Sequence, residues 1–408
     1  MKCRHCSTTL THKFLDLGSA PPSNAYLSQE QLHAPELYFP LRLFVCDHCW
    51  LVQTEDFADA DLFFSSDYAY FSSISKSWLA HAKDYCEMIT EFLSLTSDSL
   101  VVEIASNDGY LLKNFVETNI PCLGIEPTLS TAEAAEQLGI PVIKDFFGGS
   151  LAKKLVAEGK KADLIAGNNV YAHVPDINDF TLGIKTLLKP EGVVTLEFPH
   201  LSKLLEFNQF DTVYHEHFSY LSLATVNQIF NESGLRIFKV EQLTTHGGSL
   251  RVFGCLHESK RIIDSSVINV IEAEKAQGLQ SLDIYNAFQN KVDYIKNKLL
   301  KFLIAAKEEN KKVVAYGAAA KGNTLLNYAG IKPDLLPLVC DAAPSKQGKY
   351  MPGSHVPIAS PEQISTSKAD YVIILPWNLK QEIVSQLQHI KAWQGKFVTL
   401  IPEISIVD

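Results

Sequence analysis

The sequence lacks the features that define several large classes of protein. Its 408 residues include only 8 cysteines, too few for a disulfide scaffold in a chain of this length. No stretch approaches the roughly 20 consecutive apolar residues of a membrane-spanning helix, and the first residues contain no apolar run typical of a secretory signal. Acidic residues outnumber basic ones by 46 to 36, which argues against the basic surface that non-specific nucleic-acid binding requires. We therefore expect a cytoplasmic protein that binds neither membranes nor nucleic acid.

The composition is that of a folded chain with several domains. Apolar residues make up 46% and charged residues 20%, the usual globular mixture. Residues 1–62 read as loop-rich, whereas short apolar runs alternate with helical stretches from about residue 100 to 196 and again from 312 to 401. Such alternation predicts two parallel sheets built from βαβ units. We place the domains at 1–62, 63–258 and 259–408, and we expect a monomer.

Two neighbouring strands interrupt the parallel pattern. Residues 236–242 and 249–255 are both strand-like and are joined by a short loop without a helix. Because a loop of this length joins antiparallel strands, the sequence predicts a hairpin that closes the first sheet.

Four of the cysteines form two Cys-x-x-Cys pairs, Cys3 with Cys6 and Cys46 with Cys49. Four thiolates can complete a tetrahedral shell around Zn²⁺, and a complete shell leaves no position for a substrate. We therefore predict a structural zinc site, with the long segment between the pairs looping out. A redox dithiol pair and an iron–sulfur centre are the alternatives.

Small and polar residues follow each of the first four predicted strands. Glu103 and Gly109 flank the turn after the first strand, although Ala105 and Asn107 stand where a glycine-rich fingerprint would have glycines. Glu126 ends the second strand, where a carboxylate suits ribose hydroxyls. The pattern resembles the class I S-adenosylmethionine (SAM)-dependent methyltransferases. The resemblance implies a SAM site formed by Glu103, Ala105, Asn107, Gly109, Glu126, Asp145, Phe146 and Asn168.

The densest group of acid–base residues is the run Tyr214-His-Glu-His217. Asn169, His173 and His200 follow the fourth and fifth strands, and the carboxyl ends of parallel strands share one edge of the sheet. A histidine near its free pKa is a natural general base at neutral pH. A solvated loop with two hydrogen-bonded histidines, or a second metal site, would also fit the run.

The last domain contains another strand, glycine turn and helix, from Val313 to Asn323, with Asp341 at the end of the next strand. A nicotinamide dinucleotide would suit this spacing, although only Gly317 and Gly322 match the three glycines of the fingerprint. An anion site with Lys321 facing a diphosphate also fits, as does a domain that only covers the active site.

Taken together, the motifs resemble a narrower family, the sugar-nucleotide C-methyltransferases of deoxysugar biosynthesis. The resemblance spans the whole chain and is most specific in Tyr214-His-Glu-His217. Further motifs that carry it are Tyr68-Ala-Tyr70, Glu103-Ile-Ala-Ser-Asn-Asp-Gly109, Asn169-Val-Tyr-Ala-His173, Thr245-His-Gly-Gly-Ser-Leu-Arg251 and Tyr316-Gly-Ala-Ala-Ala-Lys-Gly-Asn323.

The resemblance implies methyl transfer to C3 of a nucleoside-diphosphate-4-keto-deoxysugar, with a thymidine nucleotide as the usual carrier. It implies His217 as the base, supported by Glu216, with Tyr214, Tyr68, Asn169 and His173 at the sugar or the enolate oxygen. The remaining substrate contacts are expected from Tyr70, His200, Arg251, Lys321 and Asn323.

Three other functions are compatible with parts of the chain. An epimerase or dehydrogenase of the same sugar nucleotide would use the last glycine turn. An O- or N-methyltransferase would use the same fold, but its nucleophile already has a lone pair and needs no strong base. A zinc-ribbon nucleic-acid adaptor would need a basic aromatic face.

Overall fold

In the computed structural model of the protein, residues 1–55, 57 and 71–407 are described. The strands are β1 (His12–Ala20), β2 (Phe39–Val45), β3 (Val52–Thr54), β4 (Val101–Ile104), β5 (Cys122–Ile125), β6 (Val142–Ile143), β7 (Ala162–Asn168), β8 (Leu188–Pro199), β9 (Ser219–Tyr220), β10 (Leu235–Leu243), β11 (Ser249–Leu256), β12 (Val313–Tyr316), β13 (Val339–Cys340), β14 (Ile358–Ala359), β15 (Tyr371–Ile374), β16 (Lys396–Thr399) and β17 (Ser405–Val407).

The α-helices are α1 (Lys76–Leu93), α2 (Lys113–Glu117), α3 (Leu129–Gln137), α4 (Gly149–Ala157), α5 (Ile177–Leu187), α6 (Leu201–Glu206), α7 (Leu223–Glu232), α8 (Ser265–Gln277), α9 (Leu282–Asn286), α10 (Phe288–Glu308), α11 (Ala320–Ala329), α12 (Glu362–Ser367) and α13 (Lys380–Gln386). Among the described residues, no helix has the length and apolar character needed to cross a membrane.

The central sheet has the strand order β10-β11-β8-β7-β4-β5-β6 in the described chain. Strands β8, β7, β4, β5 and β6 run parallel, while β11 is antiparallel to both of its neighbours. The predicted hairpin is therefore confirmed. The middle strands are buried along their whole length, because helices cover both faces of a parallel sheet. This explains why they read as continuous apolar runs.

Side chains in the sequence mark where several helices of this unit begin. The hydroxyl of Ser75 accepts a hydrogen bond from the backbone N–H of Trp78 at the start of α1, and Asp176 caps α5 in the same way through Asp179. Such caps satisfy N–H groups that have no partner within the helix. They fix the first residues of α1 and α5, whose buried side chains pack into two different hydrophobic clusters.

The amino-terminal residues contribute three strands to an antiparallel sheet in the order β1-β2-β3-β9, a sheet that was not predicted from the sequence of this loop-rich segment. Strand β2 buries Leu41, Leu43 and Val45 in strict alternation, and this period of two was visible in the sequence. Strand β9 comes from the central part of the chain, directly after the Tyr214–His217 run. It pairs with β3 at Val52 and Tyr220, which attaches that run to the cysteine-bearing unit.

The carboxy-terminal sheet has the order β14-β13-β12-β15-β16-β17 in the described residues, with only β17 antiparallel to its neighbour. The predicted second α/β unit is thus present. It shares a hydrophobic cluster with the amino-terminal sheet, in which the rings of Phe14 and Phe288 lie 5.2 Å apart.

The segment between the two cysteine pairs does not loop out into solvent. Its Leu27 pairs with Tyr350 as an antiparallel bridge, and the Glu36 carboxylate accepts a hydrogen bond of 2.7 Å from the Gly353 N–H. We call residues 21–38 the strap, because they connect the amino-terminal sheet to the carboxy-terminal unit. The long segment between the cysteine pairs therefore makes contacts between the amino-terminal sheet and the carboxy-terminal unit.

Candidate functional site

The four cysteines of the two pairs form one compact cluster. The sulfur atoms of Cys3, Cys6, Cys46 and Cys49 all lie within 4.8 Å of one another, and no second group of this kind occurs among the described residues. The closest pairs, Cys3 with Cys49 and Cys6 with Cys46, are each 3.5 Å apart. Since a Zn–S bond of about 2.3 Å gives sulfurs about 3.8 Å apart in a tetrahedron, the cluster fits zinc.

Both cysteine turns have the same backbone. Ser7 and Trp50, which directly follow the second cysteine of each pair, have φ of 61° and 60°. Their N–H groups donate to the carbonyls of Cys3 and Cys46, each at 3.0 Å. The two turns thus present their cysteines in the same way, and four sulfurs in one cluster can complete the tetrahedral shell of a structural zinc site.

The turn after β4 adopts the conformations of a glycine-rich loop with only one glycine. Ala105, Asn107 and Gly109 have φ of 57°, 49° and 77°. The left-handed region is unfavourable for a residue with a Cβ, although Asn tolerates it better than most. The turn that opens a cofactor crevice is therefore present at the positions where the fingerprint looked incomplete.

Gly109 is the position of this turn where a side chain is least tolerated. A Cβ there would lie 2.5 Å from Ile140 Cδ1 and 3.2 Å from Ala135 Cβ, and Ala135 is a fully buried residue of α3. We expect Gly109→Ala to lower the free energy of unfolding by more than the roughly 1–2 kcal/mol of left-handed strain and to weaken SAM binding. Chemical denaturation and calorimetric titration with SAM would measure the two effects.

Gly139→Ala is the matched control for this substitution. Gly139 has a φ of 79°, close to that of Gly109, but no atom lies within 4 Å of its added Cβ. Its variant should show the strain alone and bind SAM normally. Equal losses of unfolding free energy and of SAM affinity in the two variants would show that the close approach of Gly109 to α3 affects neither quantity.

Acidic side chains gather where β4 and β5 end. Glu103 is fully buried. Burial raises the pKa of its carboxyl well above the usual range, and the neighbouring Glu126 and Asp108 add to the rise. The Glu126 carboxylate accepts hydrogen bonds of 2.9 Å from the backbone N–H groups of Asn107 and Thr128, which holds it at the mouth of the turn. A bound cation would offset this excess of negative charge, and SAM carries a sulfonium and an ammonium group.

The other predicted cofactor residues lie on the same edge of the sheet. Asn168, the last residue of β7, is 8% exposed, and within the described part of the chain neither its amide oxygen nor its nitrogen has a hydrogen-bond partner. Because a buried amide without partners is costly, this side chain fits a polar ligand such as SAM. Asp145 and Phe146 are exposed after β6, so the Phe146 ring is accessible to an adenine face.

His217 lies at the centre of the predicted acid–base group. Its Nδ1 is 3.1 Å from the carbonyl oxygen of Thr212, and its Nε2 is 2.7 Å from the hydroxyl of Tyr214. Because a carbonyl only accepts, Nδ1 carries the proton and Nε2 accepts from the Tyr214 hydroxyl. Burial lowers the pKa of His217 well below its usual value, and the nearby His173 adds to this. The ring is therefore neutral at pH 7, with its lone pair on Nε2.

The His173 ring contacts the His217 ring, but the Glu216 carboxylate is hydrogen-bonded to the strap. The His173 and His217 rings lie 4.6 Å apart in an edge-to-face arrangement, and burial lowers the pKa of His173 to about 4. The Glu216 carboxylate accepts a hydrogen bond of 2.7 Å from the Asn24 amide of the strap. The strap thus contacts the Tyr214–His217 run directly.

The three predicted substrate residues on the central sheet have different surroundings. The Asn169 amide nitrogen is 2.9 Å from His246 Nε2. Arg251 Nη2 is 2.8 Å from the buried Glu197 carboxylate, and His200 Nε2 is 2.6 Å from Glu274 Oε1. The side chains of His200 and Arg251 are therefore paired with carboxylates of the protein, whereas the Asn169 amide contacts His246.

Lys321 brings the carboxy-terminal unit into the same site. Its Nζ is 3.0 Å from Asn378 Oδ1 and 4.6 Å from the centre of the Trp377 ring. The Trp377 indole N–H donates a hydrogen bond of 2.7 Å to the Asp211 carboxylate. Burial lowers the pKa of Lys321 to about 8, although Asp211 opposes the shift. Asn323 is fully buried two residues after Lys321 in the first turn of α11, and none of the described residues forms a hydrogen bond with its amide atoms.

Several residues around this site were not selected from the sequence. They are Trp78, His81, Glu197, Asp211 and His246. His246 lies inside a motif that the resemblance had singled out, which was the available signal. Trp78 and His81 share α1, but only the fold brings this helix together with Glu197 and Asp211. The predicted residues Tyr68 and Tyr70 lie outside the described residues.

The strand order, the turn after β4 and the residues that follow β4, β5 and β7 define a class I SAM-dependent methyltransferase domain, joined to a zinc-binding domain and a second α/β domain. Family models match in the same order. A zinc binding domain matches residues 3–64, a methyltransferase domain residues 78–240, and a C-methyltransferase C-terminal domain residues 244–402.

C-methyltransferase NovU of Streptomyces niveus is 31% identical over 406 residues, covering 100% of this chain and 96% of NovU. The chain belongs to the C-methyltransferase family, and it is a SAM-dependent C-methyltransferase. The predicted fold class, SAM as cofactor and the zinc site are thereby confirmed.

Solved structures with a similar central fold include a magnesium protoporphyrin IX methyltransferase from Synechocystis PCC 6803 with bound SAH. It is 14% identical with a TM-score of 0.34, covering 43% of this chain and 84% of that one. A SAM-dependent methyltransferase from Clostridium acetobutylicum ATCC 824 is 12% identical with a TM-score of 0.34, covering 43% of this chain and 90% of that one.

Proposed function

We propose that the protein methylates C3 of a nucleoside-diphosphate-4-keto-deoxysugar, with a thymidine nucleotide as the expected carrier. The observation that carries this proposal is the neutral His217, whose Nε2 lone pair is fixed by the Thr212 carbonyl on the opposite side of the ring. Methylation of carbon requires removal of a C–H proton, whereas an oxygen or nitrogen nucleophile already has its lone pair. A buried, oriented base is therefore what C-methylation needs.

The reaction that these residues support balances in two steps. His217 Nε2 takes the proton from C3, which the adjacent C4 ketone makes acidic, and the electron pair of the C–H bond forms an enolate. When bound, SAM would supply an electrophilic methyl group, so that the C3–CH₃ bond forms as the S–CH₃ bond breaks and S-adenosylhomocysteine leaves with that electron pair. The Tyr214 hydroxyl, 2.7 Å from Nε2, is placed to turn to the C4 oxygen as the sugar enters. Hydrogen-bond donors at that oxygen stabilise the charge that develops in the transition state.

The site has a cation suited to the diphosphate of such a substrate. Lys321 extends from the start of α11 and faces His217 from the carboxy-terminal unit. The buried Asn323 amide offers unpartnered polar atoms in the same first turn of the helix, whose N–H groups also attract anions. The sugar nucleotide would thus lie between the two α/β units.

A nicotinamide enzyme acting on the same sugar is less well supported. The Asp341 carboxylate, which would bind a ribose, accepts hydrogen bonds of 2.7 Å from the Ala318 N–H and 2.8 Å from the Ala343 N–H. The Asp341 carboxylate is therefore hydrogen-bonded to the backbone of the turn that follows Gly317 and of its own loop, rather than open to a ribose. The boundaries near residues 62 and 258, the monomeric state and the roles of the individual site residues stay predictions.

Mass spectrometry in D₂O tests the proposal. The zinc-loaded protein is incubated with SAM and thymidine-diphosphate-4-keto-deoxysugars. We expect one methyl group on carbon together with S-adenosylhomocysteine. Deuterium at C3 without methylation would replace the proposal with an epimerase, and methyl on oxygen or nitrogen would replace it with the other methyltransferase classes.

The charge of Lys321 should make the use of this substrate depend on pH. The pKa of Lys321 is lowered to about 8. The side chain is therefore a charged ammonium group below that pH and a neutral amine above it. We expect kcat/KM for the sugar nucleotide, which reports the free enzyme, to fall about tenfold per pH unit above pH 8. Steady-state kinetics from pH 6.5 to 9.5 would show the decline.

Lys321→Arg separates this effect from other titrations. Arginine stays charged throughout this range, so its profile should lose the decline near pH 8 even if its rate is lower. An unchanged decline in Lys321→Arg would assign the titration to another group.

A further inference from the structure

The turn between β10 and β11 holds a histidine in an unfavourable conformation. His246 has a φ of 54°, a left-handed value that a residue with a Cβ rarely adopts. Gly247 and Gly248 continue the turn with φ of 89° and 118°. A Cβ on Gly247 would meet the Trp377 ring at 2.2 Å, so the turn packs closely on the carboxy-terminal unit. Strained residues of this kind concentrate at functional sites.

The partner of His246 determines which ring nitrogen carries the proton. Asn169, which itself has a φ of 54°, places its amide nitrogen 2.9 Å from His246 Nε2. An amide nitrogen only donates, so Nε2 accepts and the proton of a neutral ring is on Nδ1. Burial lowers the pKa of His246 to about 4, and the charge of Lys321 adds to the shift. His246 is thus a neutral N–H donor at pH 7.

The environment of this donor is the active site itself. The groups that face the ring are Lys321 from α11, Glu197 from β8 and His81 from α1, and the Trp78 ring lies edge-to-face at 5.1 Å. The charge of Lys321 lowers the pKa of His217, and His246 would lower it too when protonated, so both groups lie within electrostatic range of His217. No hydrogen bond within the described residues involves His246 Nδ1.

We infer that His246 is a further catalytic residue, whose Nδ1–H donates to the C4 oxygen of the keto sugar as the enolate forms, with Asn169 as the positioning residue that fixes its tautomer. This inference rests on the proposed function. A neutral imidazole is a suitable donor, because it stabilises the enolate oxygen without transferring a proton to it in advance of the methyl transfer. Together with the Tyr214 hydroxyl it would supply two donors for one developing charge.

The first test compares His246→Ala and His246→Gln in the zinc-loaded enzyme. We expect His246→Ala to lower kcat by about 10²–10³-fold, with SAM affinity unchanged and deuterium exchange at C3 falling with kcat. His246→Gln should recover part of the loss, because its amide supplies an N–H. An unchanged kcat in His246→Ala, or a higher KM alone, would overturn the inference.

The second test uses a readout independent of turnover. ¹⁵N NMR of the imidazole nitrogens should show the Nδ1–H tautomer for His246, assigned by its disappearance in His246→Gln. Asn169→Asp should shift the proton to Nε2, because a carboxylate accepts where the amide donated, and kcat should fall although the ring is intact. An Nε2–H tautomer in the unaltered enzyme would overturn the inference.

The two proposals fail in different ways. Absence of C-methylation by the unaltered enzyme on any 4-keto sugar would overturn the proposed function and this inference with it. C-methylation by the unaltered enzyme together with an unchanged kcat in His246→Ala would overturn the role of His246 alone.

Discussion

We expect His217→Gln to abolish methyl transfer while leaving SAM binding intact. General-base catalysis contributes about 10²–10⁴-fold to a rate, and a glutamine side chain cannot take up a proton at neutral pH. The same variant should lose deuterium exchange at C3 of the sugar, because exchange requires the same proton removal. Turnover, exchange in D₂O and calorimetric titration with SAM would measure the three quantities on one preparation.

His389→Gln is the matched control for this substitution. His389 is exposed and lies against Trp393 in the carboxy-terminal unit. It should keep full activity. If His217→Gln lost SAM binding, or retained exchange at C3, His217 would belong to another part of the mechanism and the Tyr214 hydroxyl would become the candidate for proton removal.

The second large effect is expected from the zinc cluster. Zinc binding to a cysteine site of this kind contributes about 10–16 kcal/mol to the folding of small zinc domains. Cys49→Ser removes one of the three buried sulfurs of the cluster and should prevent stoichiometric zinc binding. We expect a lower melting temperature and a loss of the amino-terminal sheet. Metal analysis and thermal unfolding by circular dichroism would measure both.

The same substitution should reduce methylation, although no cysteine of the cluster belongs to the catalytic group. Strand β3 begins three residues after Cys49 and pairs with β9, which lies directly after His217. The strap also carries Asn24, whose amide holds the Glu216 carboxylate. Loss of the zinc domain would therefore release the catalytic run, whereas SAM affinity should persist because its site lies on the central sheet.

Cys340→Ala provides the comparison for the zinc experiment. Cys340 is a buried single thiol at the end of β13, remote in sequence from both pairs. Its variant should bind zinc fully. Full zinc content in Cys49→Ser, or an unchanged melting temperature after chelation, would show that the cluster does not stabilise the domain.

Much of the fold was predictable because it depends on short-range pattern. Strand β5 lies within the alternating region predicted from about residue 100 to 196 and is buried along its whole length, since a buried parallel strand is a continuous apolar run. The hairpin was predictable because the connection between its strands is too short for a crossover. Strand β9 was not, because two residues carry no periodicity and Ser219 and Tyr220 become a strand only by pairing with β3.

The sequence by itself determined the zinc ligands, the α/β class and the types of residue at the carboxyl ends of the strands, because each depends on spacing within a few residues. Only the tertiary structure decided which of these side chains face one another. It pairs the Glu216 carboxylate with Asn24 rather than with His217, pairs His200 with Glu274, and brings His246 and Lys321 within electrostatic range of His217. Hydrogen-bond partners across domains depend on the relative position of distant segments, and that position is set by packing of the whole core rather than by any local run of residues.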